Sequence, residues 1–176
     1  LFPKAHAVAY VLMAYRIAYC KVHHPKHFYA SYFTVRATDF DYTHVSKGSH
    51  YIKNFIKSVY QQGFRASVLD KSIATYLELA NEMIERGYEF EKVDLYKSHP
   101  TKFLITEKGL RPPLASLAGV GNNAALSIAE ARDVNNPFIS REDLRQRAGI
   151  GKAVIERLAD VGVLDDLPES NQIDLF

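Results

Sequence analysis

The residues with the most distinctive chemistry are two glycine pairs. Gly119-Val120-Gly121 and Gly149-Ile150-Gly151 recur thirty residues apart. Each sits inside a longer match, LASLAGVGNNAALSIAEAR over residues 114 to 132 and LRQRAGIGKAVIERLADVG over residues 144 to 162. Both copies read L-x-x-x-A-G-h-G, where h is apolar, and each half reads helix, turn, helix. Two glycines let the chain turn sharply and leave bare backbone N–H groups at the start of the second helix. Those donors, with the positive end of the helix dipole, make an anion site. Val120 and Ile150 plug the turn onto a core. Lys152 adds a point charge for a phosphate, whereas the first copy carries Asn122-Asn123 at that place. One such turn is an ordinary feature of helical proteins; two in register form an internal repeat. Phosphate contacts position a protein without reading bases, so the expected behaviour is salt-sensitive, sequence-independent binding of a polyanion.

Other residue groupings carry less. His6 and Tyr10 are one helical turn apart and share a face. Their rings suit stacking on a flat base, and equally suit packing in a core with satisfied polar tips. Lys4 precedes them near the helix start. His23, His24 and His27 invite a metal, but Pro25 interrupts the helix they would share and no Cys or carboxylate is near in sequence. Asp39-Phe40-Asp41 has the spacing of a two-metal site, yet it lies in a polar stretch that reads as loop. A Ser-His-Asp signature and a Gly-rich phosphate loop are both missing from the sequence.

These groups need elements to hold them. Pro3 suits a first helical residue, and the run from Ala5 to Pro25 predicts a helix of about 20 residues, apolar nearly all round and so buried in a larger protein. Pro25 opens a second helix, KHFYASYFTV, followed by the polar loop or helix start ATDFDYTHVSKGSH. Ile52, Phe55, Ile56, Val59 and Tyr60 form a helical stripe closed by Gly63. Ser72 to Arg86 predicts a fourth helix, with Ile73, Tyr76, Leu77, Leu79, Ala80 and Ile84 inward and Gly87 as its stop. Val93–Tyr96 and Phe103–Thr106 read as short strands, and Lys108-Gly109 as the turn of a small hairpin. The fold class expected is mainly α with a small β-hairpin.

The chain has 176 residues, 47% apolar and 24% charged, which suits a packed core and argues against a disordered polymer. Its single cysteine, Cys20, excludes an internal disulfide scaffold. The longest apolar run, Ala7 to Tyr15, is far short of the roughly 20 residues of a membrane span. With no initiator Met and no signal pattern, it reads as a piece of a longer cytoplasmic protein. Net charge is only +2, but it is uneven. Residues 1 to 38 hold no Asp or Glu, and beyond Arg157 there is no Lys or Arg. A basic front with interleaved Tyr and Phe suits nucleic acid; a solvated basic face is the plain alternative.

The repeat over residues 112 to 167 resembles the doubled form of the helix-hairpin-helix family, which grips duplex DNA through its phosphates. The front, Phe2-Pro3-Lys4-Ala5-His6-Ala7-Val8-Ala9-Tyr10, resembles the fingers of family C bacterial replicative polymerases. The stretch Lys21-Val22-His23-His24-Pro25-Lys26-His27-Phe28-Tyr29-Ala30 matches the same family, closest to the last part of its PolC-type class. The resemblance implies three regions: residues 1 to 95 from the fingers, residues 96 to 167 as hairpin plus helix-hairpin-helix domain, and residues 168 to 176 as a flexible tail. It implies that Lys4, His6 and Tyr10 contact the nascent base pair and incoming deoxynucleotide. The phosphate grip falls to Gly119, Val120, Gly121, Gly149, Ile150, Gly151 and Lys152. The last residues, Gln172-Ile173-Asp174-Leu175-Phe176, resemble the sliding-clamp-binding pentapeptide; Gln172, Ile173, Leu175 and Phe176 would dock on the clamp after the linker Leu167-Pro168-Glu169-Ser170-Asn171. The implied partners are primer-template duplex, deoxynucleotide, sliding clamp and the remaining polymerase chain, without a membrane. Catalytic carboxylates and their Mg2+ would lie in the palm, outside these residues, so no cofactor and no catalysis are expected of this piece alone. The other readings are a stand-alone DNA-binding adaptor and a helix-hairpin-helix repair glycosylase or nuclease. The glycosylase needs a Gly-Pro-x-Asp setting, and the chain has Gly162-Val163-Leu164-Asp165 instead.

Overall fold

The computed structural model describes residues 3 to 170. Eight α-helices occur among them: α1 (Lys4–His23), α2 (Pro25–Val35), α3 (Tyr42–Val45), α4 (Gly48–Gln62), α5 (Val68–Glu85), α6 (Asn122–Ala131), α7 (Arg141–Ala148) and α8 (Lys152–Asp160). Three short strands, β1 (Glu89–Phe90), β2 (Leu104–Ile105) and β3 (Gly109–Arg111), lie between α5 and α6. They form one sheet in the order β1-β3-β2. β1 and β3 are parallel, and β2 pairs antiparallel with β3 through Leu104↔Arg111 and Ile105↔Leu110. The molecule is mainly α with a small β element, as the sequence pattern implies.

One apolar core runs from α2 to the residues after α8. Tyr29, Phe33, Ile52, Tyr76, Leu77 and Met83 meet Phe103 and Leu110 of the hairpin, and the same cluster continues through Leu114, Ile128, Leu144 and Leu158. The middle of it is aromatic: Phe33, Phe40, Phe90 and Phe103 pack edge-on or tilted at centroid distances of 4.9 to 6.4 Å, the arrangement the ring quadrupoles favour. This core is the rigid support on which the two glycine turns stand.

Several expectations change in detail. Pro3 is the N-cap of α1, not its first helical residue. α5 begins at Val68, four residues early, because Ser67 caps it by accepting the Asp70 N–H. Val93–Tyr96 is not a strand. Asp94 instead makes a local turn, its Oδ1 accepting the N–H groups of Tyr96 and Lys97, and such side-chain bonds compete with extended pairing. The strand pairing with β3 on that side is Glu89–Phe90. Tyr60, expected inward, is exposed and donates to Glu78 on the surface between α4 and α5. Met83, absent from the expected stripe, is fully buried.

α1, read from its sequence as a helix buried in a larger protein, stands uncovered within the described residues: Val8, Tyr10, Val11, Leu12, Met13, Tyr15, Ile17 and Tyr19 are all exposed. The helix is about 30 Å long at 1.5 Å per residue, and none of its residues is buried by the rest of the described chain. It is held by its last turn. Lys21 bonds Glu82 of α5 at 2.6 Å, and Arg86 donates to the Lys21 carbonyl. At His24 the backbone leaves helical geometry, and Pro25 starts α2. Among the described residues, no helix is long and apolar enough to cross a membrane.

Candidate nucleic-acid interface

The two glycine turns adopt matching geometry. Gly119 and Gly149 have φ of +86° and +61°; such left-handed backbone costs a residue with a Cβ about 1–2 kcal/mol. Val120 and Ile150 are buried beneath the turns. Gly121 and Gly151 are the N-caps of α6 and α8, with φ, ψ of −70°, 162° and −73°, 158°. The burial pattern of residues 121 to 130 repeats residue for residue over 151 to 160. Val120, Ala125 and Ile128 thus have counterparts in Ile150, Ile155 and Leu158.

The second turn closes as a helix-ending motif. Gly149 donates to the Gln146 carbonyl, and Ile150 reaches back to the Arg145 carbonyl, satisfying the last carbonyls of α7. The first turn differs from the expected helix-turn-helix. Its leading element is only a 3-10 turn, Leu114–Ser116. Pro112-Pro113 deny N–H donors, and Leu117 is already extended, so no α-helix fits before Gly119.

The caps separate two kinds of helix in this chain. α5 and α7 begin at Ser67 and Ser140, whose hydroxyls accept the N–H of Asp70 and Asp143. α6 and α8 begin at Gly121 and Gly151 with no side-chain cap bond. Serine would cap better than glycine. Neither glycine has a special φ, and a Cβ at either would meet nothing within 4 Å. Nothing inside the molecule therefore requires glycine at these two positions. What glycine leaves there is unobstructed backbone, with first-turn N–H groups open to an acceptor from outside.

Charge around the turns is uneven. Lys152 is 79% exposed at the first position of α8 and pairs loosely with Glu156 at 3.6 Å, an interaction worth little in water. Arg145 borders the same surface groove, a basic residue that the repeat pattern did not single out. On the first copy, Asn122 shares a groove with Lys102. The loop carrying Lys102 is folded by His99, whose Nδ1 accepts the N–H groups of Thr101 and Lys102 at 3.0 and 2.9 Å. Burial first, then the Lys102 and Arg132 charges, hold the His99 pKa below its ordinary 6.5.

Two arginines brace the module from below. Arg132 Nη1 donates to the carbonyls of Leu95, Tyr96 and Ser98 at 2.8 to 2.9 Å. Arg147 bonds the Ala131 and Asn136 carbonyls with Nη2 and lies over the Phe138 ring. The stretch read as a linker is tied down at its start: Pro168 and Glu169 carbonyls accept the N–H groups of Arg141 and Glu142 at the head of α7.

The remaining candidate residues fall into three groups. Lys4, His6 and Tyr10 are exposed on α1, far along the chain from both turns. His6 and Tyr10 do share a face, with ring centroids 4.4 Å apart at 80°. Gln172, Ile173, Leu175 and Phe176 lie outside the described residues. Asp39 and Asp41 are loop residues: Asp39 accepts from Ser72, and Asp41 caps α3 through the Thr43 N–H. Among the described residues no group of three His, Cys, Asp or Glu converges on a metal position.

Comparison with known proteins fits this geometry. Residues 87–173 match the helix-hairpin-helix motif family. Across all 176 residues the chain is 56% identical to DNA polymerase III PolC-type of Halalkalibacterium halodurans, 54% to that of Bacillus cereus and 51% to that of Bacillus subtilis. It spans about 12% of the length of each of these relatives. Along its whole length, therefore, this chain matches a segment of PolC-type DNA polymerase III, one that carries the helix-hairpin-helix motif.

Proposed function

We propose that this chain is the duplex-gripping segment of a family C replicative DNA polymerase. The observation that carries the reading is the pair of uncapped glycine helix starts, Gly121 and Gly151, in a chain that caps two other helices with serine. Backbone phosphates are the acceptors that such donors fit, and Lys152 and Arg145 add charge beside the second turn. Because the donors are backbone groups, the grip is indifferent to base sequence, as a replicative enzyme requires. The full-length match to PolC-type polymerases favours a polymerase segment over a stand-alone adaptor.

Within that reading α1 belongs to the fingers. Its exposed apolar surface is what the rest of a polymerase would cover, and Lys4, His6 and Tyr10 would face the nascent base pair and incoming deoxynucleotide. The palm that supplies the catalytic carboxylates and binds Mg2+ would come from the longer chain, in the cytoplasm. The sequence Gln172 to Phe176 would tether the enzyme to the sliding clamp, with Leu175 and Phe176 filling an apolar pocket. Two contacts, clamp and duplex, then hold the polymerase on DNA longer than either alone.

The test is titration of the chain against a fluorescent duplex at several salt concentrations, with and without the double change Gly151→Val and Lys152→Glu. Binding that weakens steeply with salt, is unaffected by duplex sequence and is abolished by the double change is expected. A folded chain that binds no duplex at low salt would refute the reading.

A further inference from the structure

The first hairpin carries no basic residue in its turn, but it is not left alone. Arg157, on α8 of the second hairpin, reaches across: its Nε donates to the Ala118 carbonyl at 2.9 Å, immediately before Gly119. Its stem lies against the turn, since a Cβ on Gly119 would stand 3.2 Å from Arg157 Cγ and 3.6 Å from Nε. The guanidinium also approaches Asp160, Nη1 to Oδ2 at 3.6 Å, and the side chain is 42% exposed. The repeat does not predict this residue, because its counterpart in the first copy is Ser127.

We infer that Arg157 is a positioning residue that locks the first hairpin's turn to the second hairpin's helix, so that both turns meet the phosphate backbone at one fixed spacing. The inference rests on the duplex-binding reading above. Its physical basis is that the first turn is weakly held by its own elements. No α-helix precedes Gly119, and the 3-10 turn before it ends at Ser116. Between that turn and α6, the Ala118 carbonyl is fixed by Arg157 alone among the bonds of the described residues, while Val120 N–H bonds Leu117. Two phosphate sites act together only when their separation matches the ligand's; otherwise the second contributes little.

The design of the side chain gives the test. Glutamine places an N–H donor at the position of Arg157 Nε without charge. Lysine keeps the charge and puts a methylene there. The measurement is duplex affinity against salt in the full chain for Arg157→Ala, Arg157→Lys, Arg157→Gln, Gly121→Val and Gly151→Val, with urea midpoints to confirm folding. The salt slope counts phosphates neutralised by lysine or arginine, so a contact made by neutral backbone N–H groups is read as affinity at fixed salt, about tenfold for one hydrogen bond to a charged group. Arg157→Ala and Arg157→Lys should each lower affinity by about that factor, matching Gly121→Val, and Gly121→Val added to Arg157→Ala should lower it no further. Arg157→Gln should keep the wild-type affinity. Arg157→Lys behaving as wild type while Arg157→Gln behaves as alanine would overturn positioning in favour of simple charge. An unchanged affinity in folded Arg157→Ala would overturn any role. A wild-type chain with no salt-dependent duplex binding, or one indifferent to Gly151→Val, would remove the underlying reading and this inference with it.

Discussion

Replacing Gly121 and Gly151 by serine separates folding from binding. Both glycines have ordinary extended backbone and open space around a Cβ. Serine therefore fits without strain and supplies the cap oxygen that Ser67 and Ser140 supply to α5 and α7. Serine over glycine at an N-cap stabilises by a few tenths of a kcal/mol, so the double variant should gain about 0.5 kcal/mol. Its hydroxyls, bonding the N–H groups three residues on at Ala124 and Val154 as the two native serine caps do, would meanwhile stand across the N–H groups that the phosphates need. If each turn contacts one phosphate, affinity at fixed salt falls by about 1.5 kcal/mol per contact, roughly a hundredfold for both, while the salt slope, set by lysine and arginine, changes little. The contrast is with Gly149→Ala, where φ is +61° and the cost to stability is about 1–2 kcal/mol. Gly119→Ala should cost more, because its Cβ also displaces Arg157. Urea denaturation gives the stability and fluorescence anisotropy the binding. A Gly121→Ser/Gly151→Ser protein that is at least as stable and still binds duplex with the wild-type affinity would refute the reasoning.

Three further outcomes follow from the structure. Glu82 ties α1 and α2 to α5 through Lys21, Tyr29 and Arg86. Glu82→Ala should therefore speed amide hydrogen exchange in the last turns of α1 while the core of α5 stays protected, and unchanged exchange there would contradict this docking. His99 and His44 both have pKa values lowered, chiefly by burial. The unfolded chain then binds more protons below pH 6.5, so stability is complete above that pH and is lost as pH falls through the folded values. Thermal melts from pH 7 to 5 should show this decline, and His99→Asn, which keeps an acceptor for the Thr101 N–H, should flatten part of it; a pH-independent melt would count against the sign. Deleting Leu175 and Phe176 should abolish binding to the sliding clamp and leave duplex affinity intact, and equal clamp affinity after the deletion would remove the tether from the account.

Much of this architecture is local and so was readable in the sequence. The stripe Ile52–Val59 and the stops at Gly63 and Gly87 mark α4 and α5, and the thirty-residue repeat marks both turns, since each depends on neighbours three to eight residues away. Where the reading failed, a local competitor or a distant partner decided. Asp94 bends its own segment out of a strand, and Pro112-Pro113 reduce the first hairpin's leading helix to a 3-10 turn. Tyr60 fits the apolar stripe of α4, but its hydroxyl donates to the Glu78 carboxylate on α5. Arg132, Arg147 and Arg157 were invisible as site residues, because their carbonyl partners lie up to 39 residues away and no spacing rule links an arginine to a remote carbonyl.

The central claim is that the first-turn N–H groups of α6 and α8 receive phosphates, and amide NMR shifts on adding a short DNA duplex test it most directly. The account predicts the largest shifts at Gly121, Asn122 and Asn123 and at Gly151, Lys152 and Ala153. Asp70 and Asp143, whose N–H groups are already bonded to Ser67 and Ser140, serve as internal controls and should not move. Shifts confined to α1, or equal at the glycine-capped and serine-capped helices, would contradict it.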